Sequence, residues 1–168
     1  KTEFTRRGII GCKVVLDQTP TVDAEIVTPV YANSQVAREH LTTICDALAS
    51  IGARVNSKCG LHVHIGNAPL NAMLPASRHN NRMCSALNLN RVEAANTTIT
   101  DLKAATYGKF SSINLETWEK GTIEFRQHSG TIECDKIWAW VQFLLNLVDH
   151  TTQNRITDGT QTIVHDTP

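Results

Sequence analysis

The sequence predicts an α+β domain: a curved, largely antiparallel sheet with helices packed on one face and polar side chains gathered on the other. Three observations predict it. Gly60–Gly66 (GLHVHIG) and Gly121–His128 (GTIEFRQH) each alternate polar and apolar residues, the period of a half-buried strand. Amphipathic helical stretches run over Ser34–Ile51 and Asp135–Val148. Strands and helices mix without the strict alternation of a parallel βαβ fold, and no internal repeat is present.

Taken in order, Ile9–Leu16 reads as a strand and Asp17–Val22, with Pro20, as a turn. Ala24–Val30 is a second strand, with Pro29 near its end, where a missing N–H is tolerated. Ser34 is placed to cap a helix to Ile51. Leu41, Ile44, Leu48 and Ile51 share its inner face, and Gly52 ends it. Arg54–Gly66 is the His-x-His strand with its approach. Asn67–Pro75 is a loop or a short helical turn, Ser77–Leu89 a helix and Arg91–Ala105 a weaker one. Ser111–Glu116 alternates again, so Asn114 faces with Ser112 and Glu116, opposite Ile113 and Leu115. Trp118–Gly121 turns the chain into the Glu-x-Arg strand. Asp135 is read as the cap of a final helix with Ile137, Val141, Leu144 and Val148 inside. One domain over residues 1–150 and a polar tail over 151–168 account for the length.

Sixteen basic and sixteen acidic residues cancel, and no basic run marks a nucleic-acid surface. No apolar run is long enough for a membrane span, and no signal-peptide pattern opens the chain. The five cysteines are odd in number and widely spaced, with no Cys-x-x-Cys. Reduced thiols in a cytoplasmic protein are therefore expected rather than a disulfide framework.

Within a strand, side chains two apart lie on one face. His62 and His64 therefore share a face, as do Glu124, Arg126 and His128, while Leu61, Val63, Ile65, Ile123 and Phe125 point into a core. A solvated face favours Lys, Glu and Thr. Two imidazoles, a carboxylate and a guanidinium instead combine metal ligands with a phosphate binder. His128 reads as a rim histidine and Tyr107 as packing.

These segments, in this order, resemble the amidoligase family of the carboxylate–amine ligase superfamily, to which glutamine synthetase and the glutamate–cysteine ligases belong. The resemblance is carried by Ala24–Val30 (AEIVTPV), Gly52–Asn56, Cys59–His64 (CGLHVH), Leu74–Asn81 (LPASRHNN), Tyr107, Ile113–Leu115, Gly121–Arg126 and Gly130–Ile132 before the Trp138/Trp140 helix. It departs from the family in two places. The paired acidic residues of a Glu-x-Glu opening strand are not found before Ile9, and only about ten residues separate His-x-His from the Pro-x-Ser-Arg segment.

The resemblance implies a glutamine-synthetase-like catalytic fold over 1–150. The expected activity is ATP-dependent ligation of a carboxylate to an amine through an acyl phosphate, with ATP and Mg²⁺ (or Mn²⁺) as cofactors. Small-molecule or peptide carboxylates and amines would be the substrates, with no nucleic acid or membrane partner. It assigns Glu25, His62 and Glu124 to metal, His62, His64 and Arg126 to nucleotide phosphate, and Arg126, Arg78 and Asn114 to catalysis. Beside those roles stand plainer ones: Glu25 as an exposed strand residue, Arg78 as the first turn of a surface helix, and Asn114 as a backbone-bonding strand end. Two further functions compete. One is a zinc hydrolase using Cys59, His62 and His64 with Glu124 as base; the other is an inactive ligase fold that binds rather than reacts.

Overall fold

The computed structural model describes residues 7, 9–17, 21–66, 100, 103–104, 106 and 108–157, the side chains of the last helix as far as 150. Its contacts divide the chain into two units, residues 1–61 with 128–140 and residues 62–127 with 141–168. Among the described residues the architecture is the expected mixed α+β, with two antiparallel sheets and two long helices.

In the first unit, β1 (Lys13–Leu16) pairs antiparallel with β2 (Ala24–Val27), with Lys13 opposite Val27 and Leu16 opposite Ala24. Both strands are shorter than the sequence pattern suggested, for local reasons. Gly11 adopts φ +84°, which is not strand geometry, so pairing begins only after it. At the other end Pro29 has no N–H to give a ladder.

Helix α1 (Gln35–Ser50) starts where predicted: the Ser34 hydroxyl accepts the Ala37 N–H at 3.2 Å. It ends in a Schellman arrangement. The Gly52 N–H reaches the Ala49 carbonyl and the Ala53 N–H the Leu48 carbonyl, both at 3.0 Å, with Gly52 at φ +71°. Ala37, Ile44, Cys45 and Ala47 are its buried residues. Ile44 and Ala47 form a small core with Ile9, Cys12, Val14, Ile26 and Leu48 around it. Ile51 was expected on this inner face but is 60 % exposed. It is the C-cap residue, and its non-helical ψ turns its side chain off the stripe.

Asn56 organises the approach to β3 (Gly60–Gly66). Its side chain accepts the Lys58 N–H at 2.8 Å and donates to the Thr21 carbonyl at 2.8 Å. The Gly130 N–H donates to the Cys59 carbonyl at 2.8 Å, and a Cβ at Gly130 would lie 2.5 Å from Cys59 Cβ. Glycine is required here because the backbones approach too closely for a side chain. Helix α2 (Cys134–Thr157) begins one residue before the predicted cap. Asp135 sits inside its first turn, where a carboxylate complements the helix dipole and pairs with Arg38 at 3.3 Å. The helix also continues past residue 150 to Thr157.

The second unit holds most of the three-stranded sheet, in the order β3, β5 (Thr122–Ser129), β4 (Ile113–Asn114). β4 and β5 are antiparallel, with Ile113 opposite Phe125 and Asn114 opposite Glu124. The hairpin between them turns through a short 3₁₀ segment, Trp118–Lys120, and closes on Gly121 at φ +73°. Its predicted position as a turn is therefore correct. Among the described residues, Ile65, Ile113, Leu115, Ile123, Phe125, Leu144 and Val148 are the buried apolar residues of this unit. Val63 is only partly buried, as is Leu61 of the first unit. The expected loop at 67–75, the helix at 77–89 and most of that at 91–105 lie outside the described residues, as do Arg78 and Tyr107. Among the described residues no helix is long and apolar enough to cross a membrane.

Phe125 is fully buried opposite Ile113, so Phe125→Ala is expected to cost about 3–5 kcal/mol. Urea unfolding reads this directly, and a loss well below 1 kcal/mol would mean that the strand faces are reversed. Gly130→Ala should cost about 1–3 kcal/mol, because the Cys59 backbone must move to admit the methyl group.

Candidate active site

Alternation along β5 sends Ile123 and Phe125 to one face and Glu124 and Arg126 to the other. The β4 register brings Asn114 directly opposite Glu124, and the Arg126 N–H donates to the Ser112 carbonyl at 2.8 Å. On the other flank β3 supplies His62 and, two residues on along the same face, the exposed His64. The second unit thus gathers His62, Glu124, Arg126 and Asn114, all singled out from sequence.

Glu124 is the centre of the group. Its Oε1 accepts from Arg126 Nη1 at 2.6 Å and lies 3.2 Å from His62 Nδ1. Its Oε2 accepts from Asn114 Nδ2 at 2.7 Å. The Asn114 amide is oriented from both ends, since its Oδ1 accepts the Glu116 N–H at 2.9 Å. Arg126 Nη1 also lies 3.3 Å from His62 Nδ1. Two tautomers of His62 fit these distances. With Nδ1 bare it accepts from Arg126. With Nδ1 protonated it donates to Glu124 and leaves Nε2 as a lone-pair donor, the pattern of a carboxylate-oriented metal ligand.

The face is not open at this point. The Glu124 side chain is only 7 % exposed and that of Arg126 12 %, against 32 % for His62. An unpaired carboxylate so placed would protonate, and burial does push its pKa upward. The Arg126 charge, the Asn114 and Arg126 hydrogen bonds and the nearby His62 outweigh that. They hold Glu124 ionised, below its ordinary value of 4.5.

Of the other predicted residues, Arg78 lies outside the described residues, and Glu25 and His128 belong to the first unit. Glu25 is exposed on β2 in the first unit. His128 belongs to that unit too; its Nδ1 is 2.6 Å from the Ser129 carbonyl and its ring 5.4 Å from that of Trp140, which makes it a packing residue. Cys59 Sγ is engaged with Asn56, accepting its N–H at 3.4 Å. Among the described residues no three His, Cys, Asp or Glu side chains gather around one point, so the zinc reading has no ligand set there.

Among the described residues, buried Ser112 and Gln127 have unpartnered side-chain atoms and were given no role from sequence. Ser112 is fully buried on the Asn114 side of β4, and its hydroxyl has no hydrogen-bond partner among the described residues. Alternation placed it on that face, but serine carries no functional signature by itself. Gln127 is buried on the Ile123/Phe125 face, with both amide atoms unpartnered among the described residues. The only sequence signal was a break in an otherwise apolar register.

A family model described as "putative amidoligase enzyme" matches residues 4–88 and 77–148, most of the chain. The protein therefore belongs to the amidoligase family, a family of ligase-type enzymes. No curated protein and no solved structure matches it.

Because the folded pKa of Glu124 is depressed, its ionisation contributes stability that is fully present above the unfolded value of 4.5 and is lost as pH falls through the folded value. Melting temperature should accordingly drop on acidification below about pH 4.5. Part of that drop should vanish in Glu124→Gln, which has no proton to take up. Parallel acid profiles of the two proteins would mean that Glu124 is not held ionised.

Proposed function

We propose that the protein is an ATP-dependent carboxylate–amine ligase that forms an amide or peptide bond through an acyl phosphate. One observation carries this reading within the amidoligase family: a carboxylate, a guanidinium, an amide and an imidazole converge around Glu124 at hydrogen-bonding distances. Carboxylates are poor electrophiles because their charge is delocalised over both oxygens. An amine attacks once one oxygen has become a phosphate leaving group, and the enzyme's task is then positioning and charge stabilisation.

The residues fit a nucleotide-bound Mg²⁺ better than an all-protein cage. Mg²⁺ is usually held by one or two carboxylates together with substrate phosphates, and Glu124 is a hard oxygen donor held ionised. Bound there, Mg²⁺-ATP supplies the phosphoryl group that activates the substrate carboxylate. Arg126 offers phosphate oxygens a planar, permanently charged donor fork. Asn114 holds Glu124 Oε2 in place, so that the carboxylate presents a fixed edge. His62 and His64 extend the same face as donors toward phosphate. Metal binding by Glu25 and carboxylate recognition by Arg78 enter from the family pattern alone.

Titration calorimetry of ATP in Mg²⁺ and then in EDTA tests the reading. Binding should require the metal; equal affinity in both, or none, removes the ligase proposal. Two variants refine it. Glu124→Gln leaves a buried guanidinium without its anion and should cost about 3–5 kcal/mol of stability, while Arg126→Lys keeps the charge but loses the fork. ATP turnover per folded molecule should fall roughly 100-fold or more in both. Full turnover in the folded fraction would identify a purely structural ion pair.

A further inference from the structure

We propose that Cys45 and Cys134 form a redox-closable dithiol, whose disulfide would staple α1 to the first turn of α2. Both belong to the first unit, and neither has a part in the ligase reading. Cys45 is buried on the inner face of α1 and Cys134 is half-buried as the first residue of α2. The neighbouring Cys134 bears electrostatically on the Cys45 thiol. Two neighbouring contacts fix the approach. The Thr42 hydroxyl, one turn before Cys45, lies 3.2 Å from Cys134 Sγ. One turn earlier again, Arg38 pairs with Asp135 at 3.3 Å. A stripe of α1, Arg38–Thr42–Cys45, thus abuts residues 134 and 135.

The two sulfurs differ in chemistry. Burial, the neighbouring Cys134 and the Asp46 carboxylate push the Cys45 thiol up to about 12, so it stays protonated. Cys134 is the more accessible sulfur, half-buried where Cys45 is buried, so an oxidant reaches it first. Cys134 is then the attacking sulfur and Cys45 the resolving one. With a peroxide as oxidant, Cys134 attacks one oxygen as its thiolate, the O–O bond breaks, and a sulfenic acid and hydroxide result. The Cys45 thiol then displaces the sulfenic oxygen as water, and the S–S bond forms. In sum two thiols lose two electrons and two protons, and one peroxide becomes two waters. Closing the bond brings the sulfurs to about 2.05 Å, inside van der Waals contact, so one side chain must turn toward the other.

The full chain, treated with hydrogen peroxide under native conditions, alkylated and digested, tests this by mass spectrometry. A peptide pair joining Cys45 to Cys134 should appear, reversibly with dithiothreitol, while Cys12 and Cys59 stay alkylated. Its formation should be at least tenfold slower in urea-unfolded protein. Cys45→Ala should abolish the cross-link and leave Cys134 as a sulfenic acid that dimedone traps. Cys134→Ser should abolish it with no trapping at Cys45, and serves if the first variant folds poorly. Random pairing among the cysteines, equal rates in folded and unfolded protein, or trapping at Cys45 would each overturn the proposal.

Discussion

Everything in the polar half of this fold depends on one buried carboxylate. Glu124 carries a charge at a position where water scarcely reaches, and it is held there by a guanidinium on one oxygen and an amide on the other. Burial works against the charge, and its partners restore it. The two charges are coupled: removing the carboxylate takes away the anion that Arg126 Nη1 meets at 2.6 Å, and removing Arg126 takes that cation from the carboxylate. Such a pair is a poor device for stability, since packed apolar side chains of the same volume often do as well. In a ligase-type enzyme it has a clearer use, as a preorganised source of charge.

The strands are arranged to serve that group. The antiparallel register of β4 and β5 sets Asn114 across from Glu124, and the same register sets Ile113 across from Phe125 on the reverse face. One pairing therefore builds both the site and the core beneath it. A slip of one residue would turn the carboxylate toward the core and expose Ile123 and Phe125. The tight turn through Trp118–Lys120 and the left-handed Gly121 hold the register. The side chain and carbonyl of Thr117 also bridge the hairpin, through contacts to Thr122 at 3.0 and 3.4 Å.

The first unit follows a different logic. Its core is small, and α1 is held as much by its ends as by its buried face: a serine cap at one end and a glycine-terminated turn at the other. Where it meets the start of α2 the contacts are polar and sulfurous, an exposed ion pair and a thiol pair flanked by a threonine hydroxyl. Exposed ion pairs contribute little to stability. A covalent bond between the thiols would contribute through a different route, by restricting the unfolded chain.

Much of this was legible without coordinates. Period-two alternation alone placed His62, Glu124 and Arg126 on the polar face and Ile123 and Phe125 inside, because a strand's side-chain directions are a local property. The ends of α1 followed from Ser34 and Gly52 for the same reason. Tertiary structure alone decided three things. It joined Asn114 to Glu124, because cross-strand register depends on how strands separated by a turn pair. It buried Glu124, which the pattern had left on an open face, because solvent access depends on residues distant in sequence. It also brought Cys45 to Cys134, almost ninety residues on, since their distance is set by how helices meet and no spacing rule foretells it.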